Sequence, residues 1–355
     1  MEEKKEIQET ITKEQSNDKV TEEEFSSILR MIAPGTNLRT AIDGTRRAGK
    51  GAIIVIENEK IMPLLDGGFR IGAKFTPQKL IELTKMDGAI VLSKDMKRLN
   101  HANVLLTPDS KIKSVETGTR HKAAERTAKQ TGTLVIAISE RKNEITLYYK
   151  NIRYPLSDTD EILRKANENI QILEKQRDSF DKNVEKLTRL ELRNQPSLNQ
   201  AVNAIQKGKL IQKISKDLQK YIIELGKEGT LLKTRLKEIT IGVEDETDLI
   251  IKDYAKVDYK KSNTVLDSLS YDDILEKEKI TSALAYELPA KAEQINGWRI
   301  LSKTSLSEPE IASIVKNFGT LGKAINSNFS SHESILGAEK SSLFKEEISK
   351  IKLYS

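Results

Sequence analysis

The spacing of apolar residues along this chain changes once, near Pro155. Before it, short runs rich in Val and Ile, such as Ala52–Ile56 and Leu134–Ile138, alternate with segments of helical spacing. After it, Leu and Ile recur every three or four residues among many polar ones, and Pro196 is the only proline before Pro289. Continuous apolar runs between helices are typical of a buried sheet, and proline-free three-four spacing is typical of long amphipathic helices. The sequence therefore predicts an α/β domain followed by a helical region.

Four segments follow from this division, since 355 residues exceed what one hydrophobic core usually serves. Residues 1–24 are polar and predict a flexible N-terminal arm. Residues 25–154 predict an α/β domain with a mixed central sheet flanked by helices. Residues 155–290 predict an all-α spine, and residues 291–355 predict a small all-α C-terminal domain.

The residue types restrict the kinds of metal site that the chain can build. The absence of cysteine excludes disulfide bonds and thiolate zinc sites. The three histidines, His101, His121 and His332, are too scattered to form a histidine cluster. Carboxylates and substrate phosphates would therefore hold any metal ion, which favours Mg²⁺ or Mn²⁺.

The sequence shows no membrane segment. No run approaches the roughly 20 apolar residues that a membrane-spanning helix needs. The chain starts with the charged residues Glu2, Glu3, Lys4 and Lys5 and lacks the apolar stretch of a secretory signal. We expect a cytoplasmic protein without a membrane partner.

The charge balance is mildly basic. The chain has 59 Lys and Arg against 53 Asp and Glu, a net charge of +6. This balance is compatible with nucleotides or nucleic acid as partners. Solvated, highly charged helix faces can produce the same charge balance. Because acidic residues are evenly mixed with basic ones, such faces explain most of the excess positive charge.

A Gly-Thr turn followed by three cationic residues predicts a phosphate site. Gly118 and Thr119 precede a helical run, and Arg120, His121 and Lys122 lie in its first turn. The unpaired N–H groups at a helix start, together with these side chains, suit a phosphate group. The alternative is an ordinary helix N-cap followed by surface charge.

A second motif, Asp87-Gly88-Ala89, introduces an apolar strand. The short carboxylate of Asp87 can bind a divalent metal ion or a sugar hydroxyl, and Gly88 lets a flat ring approach the backbone. Taken alone, Asp87 would better fit a strand-entry cap.

Three segments in this order resemble the diadenylate cyclase family, in particular its DNA integrity scanning type, whose hallmarks are Asp-Gly-Ala and Arg-His-Arg. The similarity is dense over roughly residues 25–150. The segments are Leu83-Thr84-Lys85-Met86-Asp87-Gly88-Ala89-Ile90, Glu116-Thr117-Gly118-Thr119-Arg120-His121 and Ala124-Glu125-Arg126-Thr127-Ala128-Lys129-Gln130-Thr131-Gly132.

The resemblance implies an enzyme that condenses two ATP molecules into cyclic di-AMP and two pyrophosphates. Each domain would hold one ATP, and two domains would face each other across subunits of a homo-octamer built on the helical spine. Asp87 would bind Mg²⁺ or Mn²⁺, and Leu106 would line the adenine pocket. The catalytic residues would be Asp87, Arg120, His121 and Lys122. ATP would be bound by Gly88, Ala89, Leu106, Thr119, Arg120, His121, Lys122 and Ala123.

Two positions depart from the family pattern. Lys122 replaces an arginine and loses its planar, two-pronged contact with phosphate, and Ala123 replaces a threonine hydroxyl. These changes predict a weaker enzyme. They leave two alternatives open: a nucleotide-sensing scaffold that binds DNA without turnover, and a nucleotidyltransferase or phosphatase with another substrate.

The resemblance also implies helix-hairpin-helix elements in residues 291–355, which would bind branched or duplex DNA and regulate synthesis. The hairpin is degenerate, because Ile335-Leu336-Gly337-Ala338 lacks the first glycine of a Gly-apolar-Gly turn. The segment has nine Lys or Arg against seven Asp or Glu. The residues themselves thus give DNA binding little support.

Overall fold

A computed structural model describes residues 20–287 and 294–354 of the protein. Residues 1–19 of the predicted arm lie outside the described residues. The chain divides into two units. Unit 1 contains the residues up to Ala166 and the segment Lys220–Leu231, and unit 2 contains Asn167–Gln219 and the residues from Leu232 onwards.

Unit 1 is built on an eight-stranded mixed sheet. Its spatial order is β2-β5-β4-β1-β6-β7-β8, and β3 also pairs with β5. β1 and β4 are parallel, and the other paired strands are antiparallel. The strands are β1 Ala52–Ile56, β2 Leu65–Asp66, β3 Phe69–Lys74, β4 Ala89–Leu92, β5 Arg98–Leu106, β6 Leu134–Ile138, β7 Ile145–Tyr149 and β8 Ile152–Leu156.

Helices cover both faces of this sheet. The first four are α1 Glu22–Met31, α2 Asn37–Arg47, α3 Pro77–Leu83 and α4 Thr119–Thr131, and a short 3₁₀ turn spans Met62–Leu64. Apolar residues of α1, α2 and α3, such as Leu29, Ile42 and Leu80, share one core with Ile54 and Ile136 of the sheet. On the opposite face, Ala124 and Ala128 of α4 pack against Val55, Val135 and Ala137. Because β1, β4 and β6 are covered on both sides, they are continuous apolar runs.

The described residues after β8 form helices and the turns between them. α5 spans Thr159–Leu192 and α6 spans Leu198–Leu225, and the predicted break at Pro196 separates them. A 3₁₀ turn, Gly226–Gly229, follows. The later helices are α7 Thr230–Thr240, α8 Val243–Tyr254, α9 Tyr259–Ser268, α10 Tyr271–Leu275, α11 Lys277–Ala283, α12 Trp298–Leu301, α13 Glu308–Phe318, α14 Leu321–Asn326, α15 Phe329–Leu336 and α16 Ala338–Tyr354.

An apolar core within unit 2 includes residues of its early and late helices. It joins buried residues on both sides of the gap at 288–293, among them Ile205, Ile251, Ile300, Ile314 and Phe344. The helices predicted for the spine and for the C-terminal domain therefore pack together in unit 2. Gly337, with φ +82°, is the only residue between α15 and α16.

A buried ion-pair network lies within unit 2. The Arg299 side chain is fully buried, and its guanidinium donates to Glu191, to Glu246 Oε1 at 2.8 Å and to Thr188 Oγ1 at 3.0 Å. Asp253 accepts hydrogen bonds from the backbone N–H groups of residues 297, 298 and 299, at the start of α12. Apart from Arg299 Nε, which has no hydrogen-bond partner among the described residues, the network pairs polar groups that would otherwise be costly to bury.

The predicted fold class is confirmed: an α/β N-terminal domain with a mixed sheet is followed by long helices and a helical C-terminal region. The domain boundaries of the sequence analysis stay a prediction. Across the described residues, no helix combines the length and apolar character needed to span a membrane.

Candidate active site

The two predicted motifs lie at one edge of the sheet. β1 and β4 run in parallel with Ile53 opposite Ala89, so both strands begin at this edge. β6 runs the other way, with Ala52 opposite Ile138, so it ends there. Arg120 lies in the first turn of helix α4, and its guanidinium contacts Gly51, the residue directly before β1. The start of the helix therefore lies at the same edge.

Asp87 and Gly88 form a bend directly before β4. Asp87 is exposed and has no hydrogen bond or ion pair with any described residue. Gly88 has a φ of +88°, and a Cβ there would lie 2.8 Å from the backbone carbon of Asn103 and 2.9 Å from the nitrogen of Val104. Only glycine fits against this crossing of the β5 backbone. Gly88 therefore fixes the path of the chain that presents Asp87.

The first turn of α4 leaves backbone donors unused. Gly118 is the N-cap, no side chain caps the helix, and the Lys122 N–H makes the first intrahelical bond, to the Gly118 carbonyl at 2.8 Å. The N–H groups of Thr119, Arg120 and His121 precede that bond and have no acceptor within the helix. They form the predicted cradle, at the positive end of the helix dipole.

The Arg120 guanidinium packs against Gly51, the residue before β1. A Cβ at position 51 would overlap Nη1 of Arg120 and lie 2.8 Å from its Cζ. This contact places the guanidinium at the sheet edge that carries Asp87. The contact of Gly51 with Arg120 was not predicted from the sequence. The signal that could have indicated it is a glycine directly before a buried apolar strand.

His121 belongs to a hydrogen-bonded chain that was also missed. Its Nδ1 lies 2.9 Å from the Tyr148 hydroxyl, which donates to Glu116 Oε1 at 2.7 Å. Arg153 Nε donates to the same carboxylate oxygen at 2.6 Å. Burial lowers the pKa of His121 below its usual value, although the nearby Glu116 carboxylate opposes the shift.

The remaining predicted residues are placed as follows. Thr119 is exposed, and Lys122 is half-buried without an ion-pair partner among the residues described. Ala123 packs against the apolar cluster under α4, so its side chain is directed at least partly to the core. Leu106 is 7% exposed in the same cluster and lies two residues beyond Val104, which pairs with Ala89. It thus reaches the level of Asp87 on the sheet.

Known family models match both the α/β domain and the helical region that follows it. The family model described as the DisA bacterial checkpoint controller nucleotide-binding domain matches residues 39–152, and the model of the DisA linker region matches residues 156–293. A DNA integrity scanning protein DisA of Acetivibrio thermocellus is 38% identical over 329 residues, which cover 90% of this chain and 91% of that protein. The chain belongs to the DisA family.

Other DisA relatives also match most of this chain and most of their own length. The protein of Carboxydothermus hydrogenoformans is 40% identical and is matched over 91% of this chain and 96% of its own length. The protein of Bacillus subtilis is 39% identical over 88% of this chain and 89% of its own. The family predicted from the two motifs is confirmed, and with it the enzyme class, a diadenylate cyclase. The individual site roles stay predictions.

Proposed function

We propose that this protein condenses two ATP molecules into cyclic di-AMP and two pyrophosphates. The observation that supports the proposal is that Asp87 lies directly before β4 and the Arg120 guanidinium contacts Gly51 directly before β1, at the same edge of the sheet. His121 and Lys122 follow Arg120 in the first turn of α4. Within the described part of the chain, Asp87 and Lys122 have no charged partner of their own. Unpaired charges of both signs beside a free helix start suit a ligand that brings phosphates and a cation.

The reaction requires positioning and charge neutralisation. The 3′-oxygen of each ATP attacks the α-phosphorus of the other, and the bond from that phosphorus to the pyrophosphate oxygen breaks. The backbone N–H groups of α4, with Arg120 and Lys122, would bind the triphosphate and neutralise its charge. Gly88 and Ala89 would offer backbone contacts to the nucleoside, and Leu106 an apolar surface to adenine.

Asp87 is our candidate ligand for Mg²⁺ or Mn²⁺. No group of three or more His, Cys, Asp or Glu side chains within the described ranges could hold a metal alone. A single carboxylate fits Mg²⁺, which commonly binds one or two carboxylates together with substrate phosphates and water. When bound, such an ion supplies Lewis-acid stabilisation of charge on the reacting phosphate.

Two copies of unit 1 must meet, because one domain binds one ATP and the product contains two nucleotides. We propose that facing domains provide the two halves within a homo-octamer, as the family resemblance implies. We also propose that branched or duplex DNA changes the rate through the C-terminal region. The hairpin at Gly337 is degenerate, because α15 and α16 are joined by one glycine instead of a Gly-apolar-Gly turn.

Product analysis tests the proposal. The full chain is incubated with ATP and either Mg²⁺ or Mn²⁺, with and without a four-way DNA junction, and the nucleotides are identified by mass. We expect cyclic di-AMP as the product. We also expect the four-way DNA junction to change the rate of its formation. Intact ATP with tight retention of DNA would favour the scaffold alternative, which the replacement of arginine by Lys122 supports. Free AMP or phosphate would indicate another reaction.

Replacing Gly51 by Ala should weaken ATP binding. The new methyl group occupies the space of the Arg120 guanidinium, which must move away from the sheet edge. Loss of a hydrogen bond to a charged group costs roughly 1.5–3 kcal/mol, so we expect KM for ATP to rise about tenfold or more. Position 51 has no positive φ, so alanine should be tolerated by the backbone.

A double-mutant cycle provides the control for this prediction. In an Arg120→Ala background, the Gly51→Ala change should have little further effect on KM, because the displaced group is absent. Equal effects of Gly51→Ala in both backgrounds would show that the glycine acts independently of Arg120.

A further inference from the structure

The hydrogen-bonded chain behind His121 links three parts of unit 1. His121 lies in the first turn of α4, Tyr148 in β7, and Glu116 in the segment between β5 and α4. Arg153 stands directly opposite Tyr148 on the neighbouring strand β8. Tyr148 is 1% exposed, so its hydroxyl exchanges no hydrogen bonds with bulk water. The chain is therefore a fixed support beneath a residue of the predicted site.

The direction of each hydrogen bond can be assigned by counting protons. Burial would raise the pKa of Glu116, but hydrogen bonds from Arg153 and Tyr148 outweigh it and leave this pKa below its usual value. The carboxylate is thus ionised and only accepts. The single O–H of Tyr148 is donated to it, so the phenol oxygen must accept from His121 Nδ1. The proton of the imidazole then resides on Nδ1.

We propose that Tyr148 and Glu116 are positioning residues that hold His121 in the Nδ1–H form, so that Nε2 meets the bound nucleotide as a hydrogen-bond acceptor. The inference rests on the proposed function and gives His121 a different partner from the one predicted. Phosphate oxygens of ATP carry no proton to donate, whereas the ribose hydroxyls do. Nε2 therefore suits a ribose hydroxyl, including the attacking 3′ group, and phosphate binding falls to Arg120, Lys122 and the helix N–H groups.

The surroundings support a neutral ring. Burial lowers the pKa of His121; Glu116 opposes the shift, and the positive charges of Arg153, Arg120 and Lys142 reinforce it. A neutral ring with its proton on Nδ1 has a free lone pair on Nε2. The Tyr148 contact thereby fixes both the orientation of the ring and the atom that can accept.

Tyr148→Phe tests the kinetic part of the proposal, because it removes only the hydroxyl. We expect kcat to fall about tenfold to a hundredfold, the effect typical of losing a group that orients a reacting side chain. KM for ATP should change by less than about threefold, since the phosphate contacts remain. A merely structural role would lower thermal stability without this split between kcat and KM.

Tyr154→Phe is the matched control. Tyr154 also lies in unit 1 and donates its hydroxyl to a glutamate, Glu224, at 2.5 Å, but no histidine joins the pair. It should lose a similar hydrogen bond and keep its kcat. If Tyr148→Phe and Tyr154→Phe have the same kcat, the positioning role is overturned while cyclic di-AMP synthesis stands.

The tautomer can be measured without any turnover. Solid-state ¹⁵N spectra of the full chain labelled at histidine nitrogens report three residues, and His121→Gln assigns the signal of His121. We expect a protonated Nδ1 and a bare Nε2, and a shift of the proton towards Nε2 in Tyr148→Phe. A proton on Nε2 in the unmodified protein would refute the inference even if the enzyme proves inactive on ATP.

Discussion

Replacing Asp87 by Asn should lower the rate of cyclic di-AMP formation by on the order of 10²–10³-fold, as removal of a group that stabilises developing charge commonly does. The amide keeps the size of the side chain and loses the negative charge that a divalent cation needs. Asp87 is exposed and makes no contact with another described side chain, so its loss should leave the fold intact. The measurement is initial rate against Mg²⁺ or Mn²⁺ concentration at saturating ATP.

Asp95→Asn is the control for this experiment. Asp95 lies in the turn after β4, at the end of the strand opposite to Asp87, and bonds to Ser93 Oγ and the Lys97 N–H. It should retain the unmodified rate. Should Asp87→Asn keep more than about a third of the activity, Asp87 cannot be the metal ligand on which we base the proposed reaction.

Arg299→Met should cause the largest loss of stability, about 3–5 kcal/mol in the free energy of unfolding. The substitution preserves volume but leaves Glu191, whose side chain is fully buried, without its cationic partner. Glu246 loses a second hydrogen bond at the same time. Trp298, the only tryptophan of the chain, precedes Arg299 in α12 and provides a fluorescence signal for denaturant unfolding.

Arg189→Met makes the same chemical change at an exposed ion pair. Arg189 pairs with Glu185 one helical turn away in α5, and the two side chains are 48% and 54% exposed. Such pairs contribute at most about 1 kcal/mol, so little change is expected. Equal losses in the two variants, measured at one protein concentration, would mean that burial does not control the strength of the Arg299 network.

The sequence predicted the features whose cause is local. β1, β4 and β6 were recognised because burial on both faces makes them continuous apolar runs. A Gly-Thr turn followed by a cationic turn is a helix-start pattern, and the structure begins α4 at Thr119 with Arg120, His121 and Lys122 in its first turn. The motifs at Asp87 and Arg120 also predicted the family, which the DisA relatives confirm.

The sequence did not predict features that depend on distant contacts. β3 is largely exposed or half-buried, and β8 contains Pro155, so neither has the apolar pattern of a buried strand. The hydrogen bond from Tyr148 to Glu116 joins residues 32 positions apart in sequence. The residues of the Arg120–Gly51 contact are still further apart in sequence. No periodicity encodes such pairs, because they arise only when the sheet places separate segments side by side.

Unit 1 is discontinuous in sequence, since it includes Lys220–Leu231 as well as the described residues up to Ala166. Within it, Ile223 packs against the sheet core, Glu224 accepts the Tyr154 hydrogen bond, and a Cβ at Gly226 would approach the Ala33 Cβ to 2.7 Å. A polypeptide leaving the ribosome therefore cannot finish its nucleotide-binding half until residue 231 has emerged. Proteolytic cleavage between residues 166 and 220 would break the covalent connection between the two segments of unit 1.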